Sequence, residues 1–252
     1  MAVQFLPDGV GPGSAILLVA ASFFTSALTA AAGVGGGLAL LALMTYIVPI
    51  SALIPVHGTV QLGSNAGRAF LMRSHVAWVF LSAFVVGAIP GALFGRVAIG
   101  LLPDSGMKIL LGLFVLVLAW IRMPKLAGVG RRGFVATSFV TTFMTMILGA
   151  TGPFIAVVLS KTFPDRLRLV GTMAAFMTAQ HLVKIVVFAL AGFAFGSWLP
   201  LMAAMIITGF AGTWSGKHVL LKLPESRFRL VFNIGLSLLA VDLIRRGLEE
   251  LF

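Results

Sequence analysis

Ala20-Ala-Ser-Phe-Phe-Thr-Ser-Ala-Leu-Thr29, leading into Gly33-Val-Gly-Gly-Gly37, is answered 116 residues later. There the chain reads Ala136-Thr-Ser-Phe-Val-Thr-Thr-Phe-Met-Thr145, leading into Gly149-Ala-Thr-Gly-Pro153. Ser22, Thr25, Thr29 and Gly33 fall on Ser138, Thr141, Thr145 and Gly149, and Arg68 falls on Lys184. At a shift of 121, Gly95-Arg96 and Leu102-Pro-Asp-Ser105 match Gly216-Lys217 and Leu223-Pro-Glu-Ser226. The repeat includes the polar residues of a very apolar sequence, so shared composition does not explain it. Two related halves of this kind predict a transporter whose binding site lies between the repeats.

The 252 residues are 60% hydrophobic and 10% charged, with a mean hydropathy of +1.10. Soluble domains carry about a quarter charged residues, so the composition predicts an all-α polytopic membrane protein. Both halves are needed to enclose a core. The chain therefore reads as one integral domain over 1–252, with repeats at about 14–123 and 132–246. No cysteine is present, which excludes disulfides, thiolate metal sites and cysteine nucleophiles. The net charge of +11 sits in short loops between apolar runs. It reads as a topology signal facing anionic headgroups rather than as a nucleic-acid surface. The first 13 residues hold Asp8 and no Lys or Arg, and the run from Ser14 to Ala32 belongs to the first repeat, so no cleaved signal is expected.

Apolar segments fall at about 14–32, 36–48, 52–72, 76–97 and 106–122, then 132–148, 152–161, 166–192, 197–217 and 228–245. A crossing helix needs roughly 20 residues. The third to fifth segments of each half reach that length. The first two are joined by glycine-rich turns, and together they predict a broken or hairpin helix whose turn lies inside the membrane. Irregular backbone at that depth must face protein or a water-filled cavity. With each hairpin counted as two segments, Arg73, Arg122, Lys125, Arg131, Arg132, Lys161, Arg166, Arg168, Lys217, Lys222, Arg227 and Arg229 share one side. Only Arg96, Lys108, Arg245 and Arg246 fall on the other. The positive-inside bias then places both termini outside. Five segments per half make the two repeats inverted in topology.

Three sets of residues are candidates for the chemistry. The first is the pair of glycine turns. Gly35, Gly36 and Gly37 leave backbone amides uncovered just where a helix begins at Leu38, and a helix N-terminus attracts anions. Thr151 and Gly152, followed by Pro153, offer the same geometry, although glycines also serve close helix packing. The second is His57, Gln61, Asn65 and Arg68, which share one helical face, matched by Met177, Gln180, His181 and Lys184. Polar and cationic residues inside a membrane face the bundle interior and mark function. Snorkelling to the interface is the competing account of Arg68 and Lys184. The third is the hydroxyl stripe Ser22, Thr25, Ser26 and Thr29 with Ser138, Thr141, Thr142 and Thr145, which suits either a substrate path or helix-to-helix glue.

The seven carboxylates, Asp8, Asp104, Asp165, Asp242, Glu225, Glu249 and Glu250, read as lying in loops or near segment ends. No buried acid is expected to hold Na⁺ or relay protons. Cations and hydroxyls without acids select an anion. His57 and His181 are the central side chains that titrate near neutrality, which makes them the candidates for proton coupling. No phosphate-binding loop, metal constellation or nucleophile–base pair is present. The expectation is a protein that is not an enzyme and needs no cofactor. Its expected partners are a small anion and membrane lipid but no nucleic acid, and homodimer formation is left open.

At these residues the chain resembles the TauE/SafE family of bacterial inner-membrane sulfite and organosulfonate exporters. The resemblance runs from about Ser14 to Arg246. It rests on Gly33-Val-Gly-Gly-Gly37 after an apolar arm, on Gly91-Ala-Leu-Phe-Gly-Arg96 with Leu102-Pro103 behind it, and on the equivalent second half. Ala42 stands where a proline is expected, and the second glycine cluster is reduced to Gly149-Ala-Thr-Gly-Pro153. The resemblance implies export of a small sulfur oxyanion, sulfite or an organosulfonate such as sulfoacetate, either proton-driven or passive. In that picture the amides around Gly35, Gly36, Gly37 and Gly152 cradle the oxygens and Arg68 and Lys184 balance the charge. Gln61, Asn65, Gln180 and His181 orient the ion. A passive anion channel and a membrane enzyme or assembly factor are the rival readings.

Overall fold

The structure, a computed structural model, describes residues 6–7, 9–32, 35–120, 129–219 and 225–252. The expected positions Gly33, Val34, Arg122, Lys125 and Lys222 lie outside the described residues, as do the side chains of Lys217, Arg227 and Arg229. Ten α-helices are described, with no strand among the described residues. The first half holds α1 (Pro12–Ala32), α2 (Gly36–Met44), α3 (Ile50–Leu71), α4 (Leu81–Gly100) and α5 (Asp104–Trp120). The second holds α6 (Arg131–Leu148), α7 (Gly152–Thr162), α8 (Arg166–Leu190), α9 (Leu199–Val219) and α10 (Glu225–Glu249). Short 3₁₀ turns precede α4 and α9 alike, at Trp78–Phe80 and Phe195–Trp198.

Among the described residues, four stretches are long and apolar enough to cross a membrane: Pro12–Ala30, Trp78–Gly100, Arg166–Leu190 and Phe195–Gly216. α3 has 22 residues, but its polar stripe dilutes its hydropathy. α5 is described over 17 residues. The outer surface is apolar: Ile16, Phe24, Phe94, Ile207 and Leu238 are each more than 60% exposed. The interior carries the polarity, with Ser22, His57, Gln180, His181 and Lys184 fully buried. Apolar outside and polar inside is the distribution a bilayer solvent imposes. The chain is an all-α polytopic membrane protein.

The helices pack in matched pairs. α4 lies mainly on α6, and α1 mainly on α9. Glycines allow both crossings. A Cβ on Gly91 would collide with the Phe139 carbonyl, and one on Gly212 with the Phe23 carbonyl. Gly95 and Gly216 stand in the same way against Phe143 and Ala27. The first pair of contacts maps onto the second at the sequence shifts of 116 and 121. Backbones this close are the geometry that small residues favour in membranes.

The remaining pairs join helices that correspond to each other. α5 packs antiparallel on α10: Asn233 Nδ2 donates to the Ala119 carbonyl at 2.6 Å, while Gly247 lies against Ser105. α3 packs antiparallel on α8 through the centre, with His57 near His181 at one level and Met72 near Gly171 at another. Asp165 starts α8 by accepting from the Arg168 amide at 2.9 Å, a side-chain N-cap.

The two short helices point to opposite ends of α3. Past the end of α2, Tyr46 sits under the Arg246 guanidinium, 3.9 Å from its ring centroid, beside the start of α3. α7 ends where Phe163 packs on Phe80, beside the end of α3. The basic residues divide accordingly. Arg73, Arg131 and Arg168 gather at the Phe163 end, where Arg131 donates to Ser82 at 3.2 Å. Lys108, Arg245 and Arg246 lie at the Tyr46 end, paired with Glu250, Asp242 and Glu249. Asp242 stands in the last two turns of α10, and its two arginine neighbours compensate its charge.

Candidate functional site

Both glycine turns require glycine. Gly35 takes φ 105° ahead of α2, and Gly149 takes φ 75° after α6, where a side chain is strained. A Cβ on Gly149 would also press on Leu41 and Ile54, at 2.9 and 3.1 Å. The second half's turn thus packs into the first half. Neither α2 nor α7 has a side-chain N-cap. Both helix starts border a common cavity of about 40 Å³, lined by Gly35, Gly37 and Leu38 from one turn and Ala150, Gly152 and Pro153 from the other. Pro153 has no N–H, so the α7 end is the poorer donor.

α3 supplies the polar wall. His57, Gln61, Asn65 and Arg68 all line the cavity, three to four residues apart on one face. His57 Nε2 bonds the Gly37 carbonyl at 2.8 Å and ties α3 to the turn. Asn65 Nδ2 donates to the Gln61 carbonyl at 2.8 Å, and Arg68 Nη1 donates to Asn65 Oδ1 at 3.3 Å. Arg68 is 4% exposed, so its guanidinium is held inside and does not snorkel. His181 joins from α8, its ring centroid 6.5 Å from that of His57. Both ring nitrogens of His181, Nδ1 of His57 and Nε of Arg68 are buried without a hydrogen-bond partner among the described residues. Unsatisfied buried polar atoms are costly, and these four gather at one cavity.

Other expected residues stand behind this wall. Lys184 is fully buried. Its Nζ donates to the Gly149 carbonyl at 3.2 Å and Thr145 Oγ1 at 3.5 Å. Its stem runs over Gly58, where a Cβ would come within 2.7 Å of Lys184 Cε. It steadies the α6–α7 turn from behind and does not line the cavity. Gln180 accepts from Thr151 Oγ1 at 3.3 Å and donates to Thr142 and Thr141 at 3.1 and 3.3 Å. Thr151 and Gln180 therefore brace α7 and α6 against α8. Gly36 is a packing position, its Cα set against the Thr25 carbonyl. Ser26 and Ser64 bond each other at 3.3 Å, and most other hydroxyls of the stripe bond back to their own helix. Thr29 alone of the stripe lines the cavity.

Arg68 and Lys184 are two buried cations with no carboxylate in ion-pair contact among the described residues. A buried charge needs a counter-charge or strong hydrogen bonds. The arrangement favours an oxyanion, with cations, amide donors and side-chain donors around one small space. No group of His, Cys, Asp and Glu suited to a metal occurs among the described residues.

Sequence reasoning did not single out Met173 as a lining residue, nor give Met177 a role at the cavity, and both line it. The signal was present in the repeat: a shift of 116 sets Met173 on His57 and Met177 on Gln61. Compared with known proteins, the chain matches the family model described as Sulfite exporter TauE/SafE over residues 18–243. No curated protein and no solved structure matches it.

Proposed function

The chain belongs to the sulfite exporter TauE/SafE family, and from that premise we propose that it carries sulfite or a small organosulfonate out across the bacterial inner membrane by alternating access. Membership in that family makes it a membrane transporter of sulfur compounds. The observation that carries the finer reading is the pair of buried, acid-free cations beside a cavity onto which two uncapped helix starts open. Amides at Gly35, Gly37 and Gly152, with Gln61, Asn65 and His181, bind the oxygens. Arg68 balances the charge directly. Lys184 does so from behind the turn, with Thr151 and Gln180 fixing the frame and Gly36 letting α2 approach α1.

The two halves are inverted repeats with both termini outside. Support comes from the antiparallel packing of α3 on α8 and α5 on α10, and from the basic residues gathered at the Phe163 end. A helix that meets its own repeat partner antiparallel implies a two-fold axis across the helices, and hence in the membrane plane. Rocking one half against the other would expose the cavity to each side in turn. His57 and His181 are the groups through which a proton gradient would act.

Counterflow of labelled sulfite and sulfoacetate in proteoliposomes, with and without a pH gradient, tests this reading. Saturable exchange of one anion is expected, and a gradient effect would point to His57 and His181 as the coupling candidates. Flux that never saturates would make the protein a channel. No exchange of either anion by folded protein would sink the anion-site reading.

A further inference from the structure

The cavity is unevenly polar, a feature that bears on selectivity only if the cavity is the anion site proposed above. α3 gives it His57, Gln61, Asn65 and Arg68, whereas α8 gives it His181 alone among polar side chains and places Met173 and Met177 where the repeat would put the equivalents of His57 and Gln61. The antiparallel register from His57–His181 to Met72–Gly171 brings Met177 to about the level of Gln61 and Met173 to about that of Arg68. Leu38 and Pro153 also line the cavity. Both methionines are buried, at 3 and 7% exposure, and packed into the cluster that holds Phe84 and Phe176. They form a buried apolar wall. A cavity of about 40 Å³ has room for roughly three water-sized probes, which suits a compact ion.

We propose that Met173 and Met177 select the oxyanion by shape. The site takes an ion that turns three oxygens to the donors and presents to the methionines an apex needing no hydrogen bond. In sulfite that apex is the sulfur lone pair, and in a sulfonate it is carbon. Sulfate and phosphate place a fourth oxygen there. A thioether has no polar hydrogen to give it. An oxygen stripped of water with no donor in return loses at least about tenfold in binding.

The test is inhibition of labelled sulfite counterflow by unlabelled sulfite, methanesulfonate, sulfate and phosphate. Methanesulfonate and sulfate have the same number of heavy atoms, so size is controlled. Phosphate, like sulfite, carries between one and two negative charges near neutral pH, so charge is controlled. In the unaltered protein sulfite and methanesulfonate should compete, with sulfate and phosphate at least about tenfold weaker. Met177→Gln should narrow that gap about tenfold by supplying a donor, while Met177→Leu keeps it. Sulfate competing as well as sulfite in the unaltered protein overturns the proposal, whether or not the variants fold. Equal loss of discrimination in Met177→Leu and Met177→Gln overturns it too. Exchange of sulfite without discrimination removes only this inference, whereas no sulfite exchange at all removes the anion site with it.

Discussion

Arg68 and Gly36 show how differently two of the expected site residues can act. The Arg68 guanidinium lines the cavity and holds Asn65, so its loss removes both charge and orientation. Charge-assisted hydrogen bonds contribute about 1.5–3 kcal/mol each. Arg68→Gln should therefore lower sulfite counterflow at least about tenfold while the protein still elutes as a folded species on size-exclusion chromatography. Normal exchange in that variant would remove Arg68 from the binding set. Gly36 has no space for a Cβ, because the Thr25 carbonyl already fills it. Gly36→Ala should destabilise the protein by about 1–3 kcal/mol, seen as a lower thermal midpoint. Gly152→Ala meets only Met177 Cε, at 3.9 Å, and should keep the midpoint while slowing exchange. The reverse pattern would exchange the roles of the two glycines.

At the scale of elements, the α1–α9 and α4–α6 crossings depend on the same device at corresponding positions. Gly91 and Gly212 each admit the carbonyl of a phenylalanine on the facing helix. Gly91→Ala and Gly212→Ala should then cost similar stability, about 1–3 kcal/mol each, measured side by side by thermal unfolding in one detergent. A large cost at one and none at the other would mean the crossings are not equivalent. The glycine turns work at this scale too. They end α6 and start α2 beside the cavity, and Lys184 bonds the Gly149 carbonyl where a second turn of helix would otherwise have used it.

For the whole molecule, the two ends of the helix bundle differ in charge, and the positive-inside rule assigns them to different compartments. The chain has no cysteine, so single introduced thiols report sidedness cleanly. Ser74 lies exposed at the Arg73 end and Ser197 exposed in the turn before α9. With a membrane-impermeant thiol reagent added to intact cells, Ser197→Cys should label and Ser74→Cys should label only after permeabilisation. The opposite order would invert the assigned orientation, and equal labelling of both would refute the ten-segment count.

The duplication, the ten segments and the acid-free set of buried cations were all legible in the sequence. Bilayer solvent forces apolar runs into helices, and a repeat carries its polar residues with it. The stripe His57, Gln61, Asn65 and Arg68 followed from helical spacing alone, because residues three and four apart share a face. The sequence could not say which members of each stripe reach the cavity. That depends on how α3 and α8 are rotated against each other and on how far the turns penetrate, and non-local packing decides both. Lys184 and Gln180 were withdrawn behind the turn, Gly36 became a contact with Thr25, and Met173 and Met177 came to line the cavity. The sequence by itself determined which residues are costly to bury. Only the tertiary structure decided which of them face one another across an open space.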